Sequence, residues 1–298
     1  MFFMGSTFAA HRMENPTLIG VIVFYGLALL LFFGAVLFRH MNRFGGGSVQ
    51  PPAMPFGKVA IWPYRNGDLL GIVAIAGFFF LMATSNAVVS MEKELPKITA
   101  FALFFNIGLQ FFLAGLAIIA VLSRIKPVHW LGLSWKEWPW VFLLAPAAVV
   151  SMWAVFAGLY AVGYMELLEN VGLQKVQDTV KILQEEQDMV ILVLMAFTAA
   201  IVAPVCEEIV FRGYLYPAAK KFAGPWVAAI CTALVFSAAH GNFAALVPLF
   251  IFGLLLVALY EATGSIWAPI ATHFCFNSAT LIVQMLVRFG LVSDVPAS

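Results

Sequence analysis

The chain has 298 residues, 63% of them hydrophobic and 10% charged, against about 45 to 50% and about 25% in soluble domains, so a soluble globular fold is excluded. Its 16 Lys and Arg against 15 Asp and Glu leave a net charge of +1, which supplies no basic field for holding nucleic acid. With a mean hydropathy of +0.97, the class that remains is an all-α polytopic membrane protein.

A bilayer core of about 30 Å takes roughly 20 helical residues to cross. Apolar runs near that length predict about eight spans: Thr17–Phe38, Leu69–Ser90, Ile98–Ser123, Trp138–Val162, Met189 to about Ala219, Trp226 to about His240, Phe243–Tyr260 and Ile266–Val287. The sixth and seventh are short and nearly touch at Gly241-Asn242. The opening MFFMGSTFAAHRMENP has one Arg before a 22-residue apolar run, so it reads as a retained anchor. Between Arg39 and Asp68, FGGGSVQPPAMPFG is too rich in Gly and Pro for helix, which predicts a flexible linker with the first span as an appendage. Glu166 to Asp188 carries six of the 15 acids, yet Leu173, Val176, Val180 and Leu183 recur at steps of three and four. That spacing predicts an amphipathic surface helix. The resulting division is 1–68 anchor and linker, 69–137 two accessory helices, 138–290 helical core and 291–298 tail. With the N-terminus outside, ten Lys and Arg fall on the inner side and six on the outer, a modest bias for that orientation.

Cys206, Cys231 and Cys275 lie in apolar runs without a CxxC pair, which argues against a disulfide framework or a thiolate zinc cluster. Other polar residues at membrane depth are more informative. An ionised side chain at mid-bilayer costs about 2.5 to 3.5 kcal/mol on insertion scales, so such residues tend to mark a hydrated functional cavity. In EEIVFR, Glu208 and Arg212 are i and i+4, acid before base, and can pair on a helix. Glu207 is rotated about 100° away, a second carboxylate without an obvious cation and beside a like charge. Poor solvation and a neighbouring anion make such a carboxylate hold a proton more readily, as a general base near neutrality requires.

In FSAAH, Phe236 and His240 share a helical face. Taking Phe222-Ala223-Gly224-Pro225 as a hairpin centre, Glu207 lies 16 residues before Ala223 and His240 lies 17 after it, so antiparallel helices bring them to one depth. In HFCFN, His273 and Asn277 again stand at i and i+4, two donors one turn apart that could hold an oxyanion. Packing of helices through a polar side chain is the alternative for Asn277, and an architectural pair is the alternative for Glu208 and Arg212.

Taken in order, EEIVFR, FSAAH and HFCFN resemble the CPBP (Abi) family of intramembrane endopeptidases, which includes type II CaaX prenyl proteases and bacterial proteins linked to bacteriocin processing and self-immunity. The patterns EExxxR, FxxxH and HxxxN are complete, and the resemblance covers roughly Met189 to Val287. It implies a metal-independent protease without cofactor. Glu207 and His240 would activate water, His273 and Asn277 would stabilise the oxyanion, and Glu208 with Arg212 would brace the site. The partners it implies are membrane lipids and a peptide or membrane-protein substrate. Prenylated CaaX proteins are the family's eukaryotic substrates, but no prenyl-recognition signal is evident here. The implied location is the cytoplasmic membrane of a prokaryote.

Two other readings remain open. Glu207, His240 and His273 could give the carboxylate and two imidazoles that a catalytic zinc accepts, although no HExxH string occurs among the five histidines. The same fold could also serve as a non-proteolytic immunity or scaffold protein. No GxxxxGK[ST], GxGxxG or GxSxG string appears, so nucleotide use and serine-triad hydrolysis lack their signatures.

Overall fold

The architecture is that of a computed structural model, which describes residues 15–44, 54, 57–89, 98–170, 183–184 and 186–292. The described residues form helices and connections, with no strand among them. The main helices are α1 (Pro16–Phe44), α2 (Asp68–Val89), α3 (Ala100–Leu122), α4 (Val141–Ala161), α5 (Met189–Ala223), α6 (Pro225–Ala239), α7 (Leu246–Thr263) and α8 (Trp267–Arg288). Among the described residues seven helices are long and apolar enough to cross a membrane, and α6 is the shorter exception. The protein is an all-α, multi-pass membrane protein.

At 15 residues α6 rises only about 22 Å, less than a bilayer core. It is tolerated because protein surrounds it: Ala228, Ala229, Ala233, Leu234, Phe236 and Ala238 are all buried. Between helices in lipid, close packing of small side chains replaces the hydrophobic drive available in water. The alanines of α6 and Gly253 of α7 allow that approach, since a Cβ on Gly253 would stand 3.0 Å from Ala233 Cβ. The backbone that leaves α6 is likewise enclosed. Gly241, at φ +58, packs on Ala83 and Asn86 of α2, and Ser237 Oγ donates to Leu246 O across the turn.

The reading of the first span as an appendage is corrected. Val21, Tyr25, Ala28 and Phe32, one stripe at steps of four, three and four, are buried in the same core cluster as α5 to α8. Cys231 Sγ of α6 donates to Ala28 O at 3.3 Å. Because the whole of α1 is apolar, a stripe of contact residues has no hydropathy contrast to reveal it.

Residues 45–53 and 55–56 of the expected linker lie outside the described residues, but 57–67 are firmly docked. Glu261 of α7 accepts from Lys220 Nζ at 2.5 Å, Tyr216 Oη at 2.6 Å and Val59 N at 3.2 Å. Lys220 also donates to Val59 O at 2.9 Å, and Lys221 to Tyr64 O. Of the expected amphipathic helix, Tyr164–Asn170 is helical, whereas 171–182 and 185 lie outside the described residues. Leu183 packs with Leu192 and Met195 of α5.

α5 carries the first motif and is irregular in two places. It begins at an N-cap, Asp188, whose side chain accepts from the N–H groups of Val190 and Ile191. Thr198–Val202 and Ile209–Leu215 are then wound as π-helix, and each is followed two residues on by a proline, Pro204 and Pro217. A proline lacks the N–H that would complete the helical ladder, and π turns absorb such mismatches, often at functional sites.

Candidate active site

The sequence motifs meet where α5, α6, α7 and α8 pack together. Glu208 is fully buried, and its Oε1 lies 2.8 Å from Arg212 Nη1 and 2.8 Å from His273 Nδ1. The expected i,i+4 pair is therefore present, with a histidine from α8 as its third member. Arg212 is itself 1% exposed, so it belongs to the bundle interior and drops out of the ten cations assigned to inner loops. Its Nη2 donates to Gly253 O at 3.1 Å. Its guanidinium carbon sits 4.5 Å from the centre of the Phe236 ring, within the range of a cation–π contact.

Phe236 is the surface on which the site is assembled. The rings of His240 and His273 meet it edge-on, at centroid distances of 4.9 and 5.9 Å. The expected hairpin turn falls at Gly224, φ +88, and α6 returns so that His240 caps its far end as an exposed residue. His240 Nδ1 lies 2.8 Å from Phe236 O. A carbonyl only accepts, so Nδ1 carries the proton and Nε2 of the neutral ring is left as a base.

Glu207 is placed differently from its neighbour. Its Oε2 is buried with no hydrogen-bond partner, as is Glu208 Oε2. A buried carboxylate oxygen without a partner is costly enough to mark a candidate for function.

Asn277 is turned to a use that the spacing of HFCFN does not reveal. Its Nδ2 donates to Ala199 O at 2.8 Å. In the π segment Ala203 N–H reaches back to Thr198 O, and the next position is Pro204. Ala199 O thus has neither an i+4 nor an i+5 donor, and Asn277 supplies one. The alternative reading, a polar side chain joining helices, describes this contact, and it leaves one amide hydrogen of Asn277 available.

The zinc arrangement finds no support in this geometry. Among the described residues no three His, Cys, Asp or Glu side chains stand together as a metal-ligand group. Cys206 is buried, in keeping with a small packing residue.

Comparison with known proteins matches the stretch of chain that carries the motifs. Residues 189–279 match the family model described as "Type II CAAX prenyl endopeptidase Rce1-like". Over this region the chain is similar to the Rce1-like family. Two curated bacterial proteins are similar over a longer stretch. The "Putative membrane peptidase YdiL" of Bacillus subtilis is 25% identical over 181 residues, covering 58% of this chain and 69% of its own. The "Membrane-embedded CAAX protease MroQ" of Staphylococcus aureus is 25% identical over 186 residues, covering 59% of this chain and 72% of its own. No solved structure matches significantly. The Rce1-like region runs from the start of α5 into α8 and contains all six motif residues. At family level it is that of a membrane endopeptidase.

Three features of this Rce1-like site escape the motifs. Gly253 O, the second acceptor for Arg212, has no sequence signal beyond a glycine in a span. Phe236 is visible as a motif residue, but not as the common wall for two imidazoles and a guanidinium. The freed carbonyls of α5 do leave a mark, in the two prolines inside one apolar run.

Proposed function

We propose that the protein is an intramembrane endopeptidase in which Glu207 and His240 activate water for attack on a peptide carbonyl. The observation that carries this is the contrast between four braced polar residues and two free bases. Glu208, Arg212, His273 and Asn277 are tied into the bundle. Glu207 Oε2 is buried without a partner, and His240, at the exposed end of α6 and with its ring against Phe236, has Nε2 left as a base by the Nδ1 contact.

In this scheme the water gives its proton to the Glu207–His240 pair as its oxygen bonds to the carbonyl carbon. The same pair returns the proton to the departing amine as the C–N bond breaks. The oxyanion is met by His273 Nε2 and the remaining amide hydrogen of Asn277. His273 Nδ1 is engaged by Glu208, so the contact to the oxyanion falls to Nε2, a donor when the ring carries both protons. The substrate is a membrane-associated peptide or protein, lipidated or not, and the names of the two bacterial relatives favour a bacterial cytoplasmic membrane. No step requires a metal.

The test is cleavage of a membrane peptide by purified protein in bilayers. Glu207→Gln and His240→Ala abolish turnover while leaving insertion and folding intact. Turnover retained in both variants would sink the reading. The competing scaffold reading expects loss of stability in both and no cleavage by the parent.

A further inference from the structure

The other π segment of α5 leaves a second carbonyl uncapped, and residues outside the Rce1-like region hold it. In α-helical register Gly213 O would take the N–H at position 217, which is Pro217. In its place Tyr64 Oη donates to Gly213 O at 2.5 Å, and Trp130 Nε1 donates to the same oxygen at 3.0 Å and to Tyr64 Oη at 2.8 Å. Both side chains are buried, Tyr64 at 1% and Trp130 at 7% exposure. Burial pushes the Tyr64 phenol well above its ordinary range, so it stays a donor. The next residue is tethered as well: Tyr214 Oη donates to Asp68 Oδ1 at 2.9 Å, and Arg124 pairs with Asp68 at 2.5 Å. Packing is close here, since a Cβ on Gly213 would stand 2.9 Å from Leu131 Cδ2.

The other side of this turn is the site. Arg212 precedes Gly213 and holds Glu208, Gly253 O and the Phe236 ring. We infer that Tyr64 and Trp130 are positioning residues for the active site: by capping Gly213 O they fix the rotation and register of α5 at the turn that presents Arg212, and through it Glu208 and His273. The kinetic part of this inference rests on the endopeptidase reading, whereas the clamp does not. A shift of about 1 Å in a catalytic group can cost on the order of 100-fold in rate, so a device that fixes one turn of a proline-broken helix has direct consequences for turnover.

The experiment uses the full-length protein in bilayers, with Tyr64→Phe, Trp130→Phe, their combination, and the combination with Pro217→Ala. Each is followed by amide hydrogen exchange across Ile209–Leu215 and by kcat and KM on a membrane peptide. Either single variant keeps one donor and stays within about threefold of the parent. The double variant exchanges faster over this segment and loses roughly 10- to 100-fold in kcat, with KM unchanged within about twofold. Pro217→Ala restores an N–H to Gly213 O and recovers both. Parental exchange in the double variant, or no recovery with Pro217→Ala, overturns the clamp. Faster exchange with parental kcat overturns its positioning role. A parent that cleaves no membrane peptide defeats the endopeptidase reading alone, and the exchange rates still decide the clamp.

Discussion

His273 of α8 and Glu208 of α5 meet at 2.8 Å, on the same carboxylate oxygen that Arg212 reaches. In the proposed scheme two consecutive carboxylates have opposite duties, Glu208 neutralising a buried guanidinium and Glu207 acting as a base. Removing one partner of a buried ion pair strands the other, at about 3 to 5 kcal/mol. Glu208→Gln accordingly lowers the thermal midpoint in detergent steeply, with turnover lost as a consequence. Glu207→Gln strands no cation, leaves the midpoint close to the parent and removes a general base, a loss of about 10² to 10⁴ in kcat. Equal destabilisation by both substitutions would contradict the division of labour.

The same contact decides what can replace His273. In the proposed role of oxyanion donor it would act through Nε2–H, a position that the amide nitrogen of a glutamine approximates. His273→Ala loses about 10² to 10³ in kcat, the usual cost of one oxyanion donor. His273→Gln recovers part of that loss. If His273 instead shuttled protons, glutamine would be as poor as alanine, so the ratio of the two variants separates the roles.

Metal dependence is tested by exhaustive chelation of the purified protein. Among the described residues Glu207, His240 and His273 do not stand together as a ligand group, and turnover on a membrane peptide is expected to be unchanged. Loss of activity restored by added zinc would return Glu207, His240 and His273 to the role of ligands.

Much of this arrangement was legible before any coordinates. Glu208 and Arg212, His273 and Asn277 are spaced for one helical face, and charge in an apolar run is costly enough to be noticed. The turn at Gly224 could be placed because glycine beside proline interrupts two apolar runs. What could not be read has a common cause: inside a membrane, contacts are made without contrast in hydropathy. The stripe of Val21, Tyr25, Ala28 and Phe32 on α1 looks the same as its lipid-facing side. Gly253 O and Ala199 O are backbone acceptors without identity in the sequence. α6 reads as a span because length and apolarity do not distinguish a helix wrapped in protein from one wrapped in lipid.

The integration of α1 can be tested at Gly20. A Cβ there would stand 2.6 Å from the Phe243 ring and 2.8 Å from Leu246, in the segment that leads from α6 to α7. Gly20→Leu forces those side chains from their positions, an overpacking cost of about 1 to 3 kcal/mol. The thermal midpoint falls and His240, three residues before Phe243, is displaced with it. Gly26→Leu, on a side with nothing within 4 Å, is the matched control and leaves both stability and turnover unchanged. An appended, independent α1 would tolerate the two substitutions alike.

Asn277 offers the sharpest separation of architecture from chemistry, because the carbonyl it caps is left free by a particular residue. Asn277→Ala strands Ala199 O in the interior, costing about 1 to 3 kcal/mol, and also removes an oxyanion donor. Pro204→Ala restores an N–H within reach of that carbonyl, so the cap becomes dispensable. In the Pro204→Ala background, Asn277→Ala therefore loses little further in thermal midpoint but keeps its full loss in kcat, about 10² to 10³ for one donor. If kcat recovers along with stability, Asn277 serves the helix alone, and the oxyanion rests on His273.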